Sequence, residues 1–174
     1  MPPPSLTWVH CTDGLDWEEL AELYRVAPLG VRNVRNVGDL KLSFGNSMYV
    51  SFAYNTGDSA TMGDTLEREG DIQERERGRL VAAGRVLADG VDCAYVCDIA
   101  VHPDMQGTGT GKALVSGLVS MCKHHAKVIL YAAPGKEGFY RKFGFRPMTT
   151  AMAIFKDDTA AVEGGYLEPP LSDV

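Results

Sequence analysis

The run Asp98-Ile-Ala-Val-His-Pro-Asp-Met-Gln106-Gly-Thr-Gly-Thr-Gly111-Lys112 constrains this chain more than any other stretch. An apolar strand leads into a short turn, and glycines alternate at Gly107, Gly109 and Gly111. An amphipathic helix follows, with Ala113, Leu114, Gly117, Leu118, Met121 and Cys122 on one face. A turn of this kind leaves the first N–H groups of the helix unpaired and pointing outward. Together with the positive end of the helix dipole they form a site for phosphate oxygens. Glycine matters there because a Cβ would hold a pyrophosphate away from the main chain and would disfavour positive φ. Lys112 adds a mobile positive charge nearby.

Two other phosphate loops do not fit. A Walker loop needs a hydroxyl after Gly-Lys, and Gly111-Lys112 is followed by Ala113. A dinucleotide fingerprint needs G-x-G-x-x-G with an acidic residue about 20 positions on. Here the glycines alternate, and Lys127 lies about where the acid should be.

The rest of the chain supplies elements around this run. Leu6–His10 alternates as a first strand, and Asp13 or Asp16 caps a helix through Val26 with Trp17, Leu20, Leu23 and Tyr24 along one side. Val37–Gly45 reads as a second helix, with Leu40 and Phe44 four apart, and Met48–Tyr54 as a strand. Asn55–Arg79, rich in charge and glycine with few apolar anchors, reads as a mobile insertion. Leu80–Ala88 and Val91–Val101 form a hairpin about Asp89-Gly90. The helix Gly109–His125 and a strand Lys127–Ala133 complete a β-α-β unit. Glu137–Phe143 is a short helix stopped by Gly144, and Phe145–Lys156 gives one or two more strands. The expected fold is α/β (α+β), a mixed sheet of about six to seven strands flanked by about four helices. It forms one domain over 1–156, with an acidic tail over 157–174.

Charge bears on what such a domain can hold. The net charge of −6 argues against a nucleic-acid partner. Five acidic residues and no basic ones lie in 157–174, so the remainder is nearly neutral and does not repel an anionic cofactor. That tail reads as a solvated end. The sharper reading is a divalent cation on Asp157, Asp158 and Glu163, whose spacing matches no EF-hand loop, and no metal ligand is assigned. The start, Met-Pro-Pro-Pro-Ser, has neither a basic nor an apolar leader region, and no stretch approaches the roughly 20 apolar residues of a membrane span. A cytoplasmic protein is expected. Cys11, Cys93, Cys97 and Cys122 show no C-x-x-C spacing and read as reduced.

Gln106-Gly-Thr-Gly109-Thr-Gly111 matches the Q/R-x-x-G-x-G/A signature of the GNAT acetyltransferase superfamily. Asp98-Ile-Ala-Val-His-Pro and Lys112-Ala-Leu-Val resemble the strand 4 and helix 3 that flank it in that family. Glu137-Gly-Phe-Tyr140-Arg-Lys-Phe-Gly-Phe145 resembles the family's Y-x-K-x-G-F segment, at the expected distance. The two motifs span roughly residues 80 to 148.

The resemblance implies acetyl-CoA as acetyl donor, lying between splayed strands 4 and 5. Ile99, Ala100 and Val101 would offer main-chain groups to pantetheine and the acetyl carbonyl. Gln106, Gly107, Thr108, Gly109, Thr110, Gly111 and Lys112 would hold the pyrophosphate, and Phe139 and Tyr140 would adjoin the cofactor. An amine would attack the thioester directly in a ternary complex, with Tyr140 as general acid to the leaving thiolate. Asp98 is either the general base or a carboxylate bonded within the fold. Strand 5, Leu130-Tyr-Ala-Ala, lacks the acid some relatives place there, and Pro134-Gly135 replaces a common Asn. Tyr24, Phe44, Tyr49, Tyr95 and Tyr131 are candidates to line the acceptor site, which would favour a small aromatic or alkyl amine. Protein acetylation, or acyl-CoA binding without turnover, are the alternatives, and a homodimer is compatible with either.

Overall fold

The computed structural model describes residues 5–27, 36–57 and 77–170. Most of the insertion expected over Asn55–Arg79 lies outside the described residues. The described residues form two compact units, one ending at Leu130 and one beginning at Tyr131.

The first unit is a sheet with strand order β1-β2-β3-β4-β5. Its strands are β1 (Leu6–Val9), β2 (Tyr49–Asn55), β3 (Arg79–Ala88), β4 (Cys93–Val101) and β5 (Lys127–Ile129). The first three pairings are antiparallel, and β5 joins β4 in parallel after the crossover helix α3 (Thr110–Cys122). Helices α1 (Trp17–Val26) and α2 (Val37–Gly45) precede β2. The Asp16 carboxylate accepts from the N–H groups of Glu18 and Glu19 (2.8 and 3.0 Å), which starts α1. Asn36 does the same for α2 through Asp39 N–H (2.9 Å).

Apolar positions on alternate strand residues feed two cores. Ala82, Val86, Ala94 and Val96 pack with Leu114, Leu118 and Cys122 of α3. On the α1–α2 side, Tyr24 meets Phe44 edge-on, and Phe44 stacks on Phe52 of β2. Glu19 of α1 accepts the N–H of Leu80 at 2.7 Å, which ties the helix to the start of β3. Among the described residues, no helix is long and apolar enough to cross a membrane.

Three expectations change. The strand after the hairpin begins at Cys93 rather than Val91, because the Asp89 carboxylate takes the N–H groups of Val91, Asp92 and Cys93. The same three donors hold the Asp89 carboxyl below its usual pKa. The strand expected over Lys127–Ala133 stops at Ile129, where its pairing with Tyr95 is the last. Finally, the described sheet has five strands rather than six to seven, since Phe145–Lys156 forms none. That segment has strand-like composition but no ladder partner, and it leaves Met152 97% and Ile154 99% exposed.

The second unit holds α4 (Glu137–Arg141) and α5 (Asp158–Glu163). The start of the tail is structured: Asp157 accepts the N–H of Ala160 at 2.9 Å and caps α5. Gly144 follows α4 with φ +88°, the left-handed residue its sequence position requires.

Candidate active site

The sheet opens where β5 stops. Past Tyr95, the outer edge of β4 from Val96 to Val101 has no partner in β5. His102 N–H donates to Val81 C=O across the other edge (2.8 Å). Alternation therefore turns the main-chain groups of Val101 and Ile99 away from β3, toward the open side. Ala100, registered with Ala83, turns toward β3. The side-chain amide of Gln106 donates to the outward Val101 C=O at 3.3 Å, so this residue fastens the loop to the strand.

The same stretch of β4 carries a bulge. Arg85 pairs with Cys97 and Ala83 with Ala100, so Asp98 and Ile99 together face Gly84. Asp98 takes φ +53°, alone among described non-glycine residues in having positive φ. Aspartate tolerates this left-handed conformation better than most residues. Gly84 is needed for close approach: a Cβ there would stand 2.7 Å from Ile99 Cδ1 and 2.8 Å from Leu118 Cδ1. Ile99 thus fills the α3 side of the sheet, while Asp98 lies on the opposite side. Its carboxylate pairs with the Arg85 guanidinium, both side chains being about nine-tenths buried (12% and 10% exposed). Arg85 also donates to Ser43 C=O and Ser47 Oγ of the α2 region, each at 3.3 Å. The Tyr24 hydroxyl donates to the Asp98 carbonyl at 2.5 Å.

Beyond the strand, a one-turn helix at Pro103–Met105 leads into the glycine turn. Gly107 has φ +78° and Gly109 φ +95°, and a Cβ at either would meet nothing within 4 Å. Backbone conformation, not crowding, is what demands glycine at these two positions. Thr108 Oγ1 bonds Met105 C=O at 2.7 Å and the buried Thr110 hydroxyl at 2.9 Å, which stiffens the turn. Gly109 is the N-cap of α3 and has no side chain to cap it. Among the described residues, Ala113 is the first of this run whose N–H reaches a main-chain carbonyl, that of Gly109 (3.0 Å). The N–H groups of Thr110, Gly111 and Lys112 are thus left to an external acceptor, and Lys112 is exposed beside them.

In the second unit, Tyr140 sits edge-on to Phe139 (5.1 Å) and Phe145 (6.3 Å). Burial pushes its phenol above the usual tyrosine pKa. A further aromatic group joins Tyr131, Phe155 and Tyr166.

Several side chains proved to have other tasks. Tyr24 and Phe44, expected beside the acceptor, are core residues. Tyr49 packs on the α3 side of the sheet, edge-on to His124 and His125. Sequence reasoning passed over Arg85, although a charged residue inside Leu80-Val-Ala-Ala-Gly-Arg-Val-Leu-Ala88 was itself a signal.

A family model described as "Acetyltransferase (GNAT) domain" matches residues 62–155, more than half of the chain. The chain belongs to the GNAT acetyltransferase family. Acetyl-CoA is that family's acetyl donor. Among GNAT relatives, rice serotonin N-acetyltransferase 2, chloroplastic, is 42% identical over 77 residues, or 43% of this chain and 38% of the relative. GCN5-related N-acetyltransferase 1, chloroplastic, of Arabidopsis thaliana is 30% identical over 116 residues, or 64% of this chain and 59% of the relative. The matches therefore span less than two thirds of those relatives. The fold resembles a probable acetyltransferase of Staphylococcus aureus, with TM-score 0.65 and 18% identity, over 87% of this chain and 98% of the other.

Proposed function

We propose that this chain transfers the acetyl group of acetyl-CoA to a small primary amine of the arylalkylamine class. The observation that carries the reading is a pair of main-chain donor sets on consecutive elements. One is the outward edge of β4 at Ile99 and Val101, and the other is the uncapped start of α3 at Thr110–Lys112. The second set would hold the pyrophosphate, while the first would lie along pantetheine and the thioester carbonyl. The glycine turn fits the diphosphate because no Cβ stands in front of its amides.

In this reading the neutral amine attacks the thioester carbon. The C–S bond breaks as the amide C–N bond forms, the ammonium proton leaves to solvent, and the departing sulfur takes a proton from Tyr140, which solvent then restores. The Tyr140 phenol is protonated at physiological pH, as any tyrosine's is, and burial moves it further in that direction, as suits a donor. The arylalkylamine class is supported by the rice relative named for serotonin, which matches 77 residues of this chain. A soybean relative named as a histone acetyltransferase, 29% identical over 83 residues, supports protein lysine as the second reading.

Thiol release from acetyl-CoA, followed over a panel of arylalkylamines, alkylamines, amino sugars and lysine peptides, tests both. Turnover is expected with arylalkylamines. Activity confined to peptides transfers the assignment to the second reading, and CoA binding without turnover on any acceptor removes both.

A further inference from the structure

We propose that Tyr24, Arg85 and Asp98 form a buried latch that fixes the β4 bulge and thereby aims the Ile99 N–H at the acetyl carbonyl. The inference rests on the acetyl-transfer reading and assigns the residues that position its polarising donor. It also gives Asp98 a structural carboxylate rather than a proton-accepting one.

The Asp98 C=O and the Ile99 N–H belong to one peptide plane. All described peptide bonds are trans, so the two groups point in opposite directions. The Tyr24 hydroxyl holds the carbonyl end of that plane and so fixes the N–H end pointing away from it, while the alternation set by His102 and Ala100 turns Ile99 toward the open edge of β4. A strand could turn this plane over by relaxing Asp98 from φ +53° to ordinary extended geometry. Two contacts oppose that relaxation. The Asp98 carboxylate is tied to Arg85 on β3, and Arg85 is anchored in turn to Ser43 and Ser47. Gly84 leaves room for Ile99 on the other side of the sheet, so the two bulge residues are gripped from opposite faces.

A buried ion pair is a poor source of net stability, because desolvation cancels much of its attraction. Here it does something a hydrophobic pair could not: it joins the one strained non-glycine residue to a fixed point on the neighbouring strand. Arg85 and Tyr24 are therefore positioning residues, and their effect should appear in the acetyl group's environment rather than in the grip on CoA.

The test compares wild type with Tyr24→Phe, Arg85→Gln and Asp98→Asn, each checked for folding by circular dichroism. Steady-state rates are measured over pH with acetyl-CoA and a turned-over amine, and affinities for CoA and acetyl-CoA by calorimetry. Tyr24→Phe is expected to lower kcat on the order of tenfold, and Arg85→Gln on the order of a hundredfold, the scale of a lost or misplaced oxyanion donor. CoA affinity should stay within about twofold while any preference for acetyl-CoA over CoA shrinks. Asp98→Asn should fall with Arg85→Gln, and the pH–rate profile should keep its shape in all three.

The proposal is overturned if Asp98→Asn alone abolishes turnover and removes a limb of that profile while Arg85→Gln behaves as wild type, which would make Asp98 a base. Should Arg85→Gln and Asp98→Asn fail to fold, Tyr24→Phe decides by itself, and a kcat within about twofold of wild type refutes the latch. Wild-type protein that binds no CoA is a separate failure, of the acetyl-transfer reading.

Discussion

The turn before α3 and the bulge in β4 keep their shapes by opposite means. The turn relies on what is missing: glycines at φ +78° and +95°, empty space where Cβ atoms would be, and no side-chain cap. Two threonine hydroxyls tie it together, and the Gln106 amide fastens it to β4. The bulge relies on what is present, a charged pair from adjacent strands braced by a tyrosine from α1. A device made of backbone should tolerate most changes around it and fail at a single added carbon. One made of paired charges should fail when either partner is lost and recover when both are.

The sharpest way to break the comparison is Asp98→Ala, which strands the Arg85 charge in a nearly dry site. Urea unfolding should show a loss of about 3–5 kcal/mol. The double variant Arg85→Met/Asp98→Ala should be more stable than Asp98→Ala and lose less than the sum of Arg85→Met and Asp98→Ala, since it removes both charges together. Additive losses would mean that the pair is not a unit.

Next in size is Gly109→Val. It should weaken CoA binding by about 3 kcal/mol in calorimetry, through misdirected amides and a side chain in front of them. Its cost in unfolding should be about 1–2 kcal/mol, mainly from the left-handed backbone, since a Cβ there meets no protein atom within 4 Å. A larger folding loss than binding loss would make the turn an ordinary structural element.

Tyr140→Phe should reduce kcat on the order of a hundredfold with little change in CoA affinity. Because burial raises its phenol, any high-pH loss of rate owed to Tyr140 should lie above the range of an ordinary tyrosine and vanish from the Tyr140→Phe profile. A variant as fast as wild type removes Tyr140 from the proton path.

The smallest effect concerns the far end of α3, away from both devices. Burial pushes the Cys122 thiol up to about 11 from its ordinary 9.0. The folded state therefore keeps its proton where the unfolded chain loses it. The resulting stability is whole below pH 9 and drains away as pH climbs toward 11. Urea midpoints across that window should fall more steeply for wild type than for Cys122→Ala. Parallel slopes would show that this thiol titrates alike in both states.

The same contrast explains what could be read from the chain alone. The glycine turn, the cap of α1 and the Leu40/Phe44 spacing are local: each needs only residues within a turn of one another. The family signature lies in that local part. The bulge is a matter of register between Arg85–Ala83 and Cys97–Ala100, and no window of one strand contains it. For the same reason the end of β5 at Ile129 was not legible, because a strand ends where its pairing does, and β4 runs on past that point without it. Phe145–Lys156 has the composition of a strand but lacks the partner that would make it one. Asp98 marks the boundary: its sequence position left two roles open, and the Arg85 side chain that meets it comes from the neighbouring strand, outside any local window.

A loop already braced by its own threonines has little freedom left to surrender when an anion arrives. Capture of the cofactor's diphosphate should accordingly be fast and only weakly opposed by entropy, as a rigid receptor's is. Replacing Thr108 with alanine would loosen the turn without removing any of the amides at Thr110–Lys112, and the penalty should register as a less favourable binding entropy for CoA.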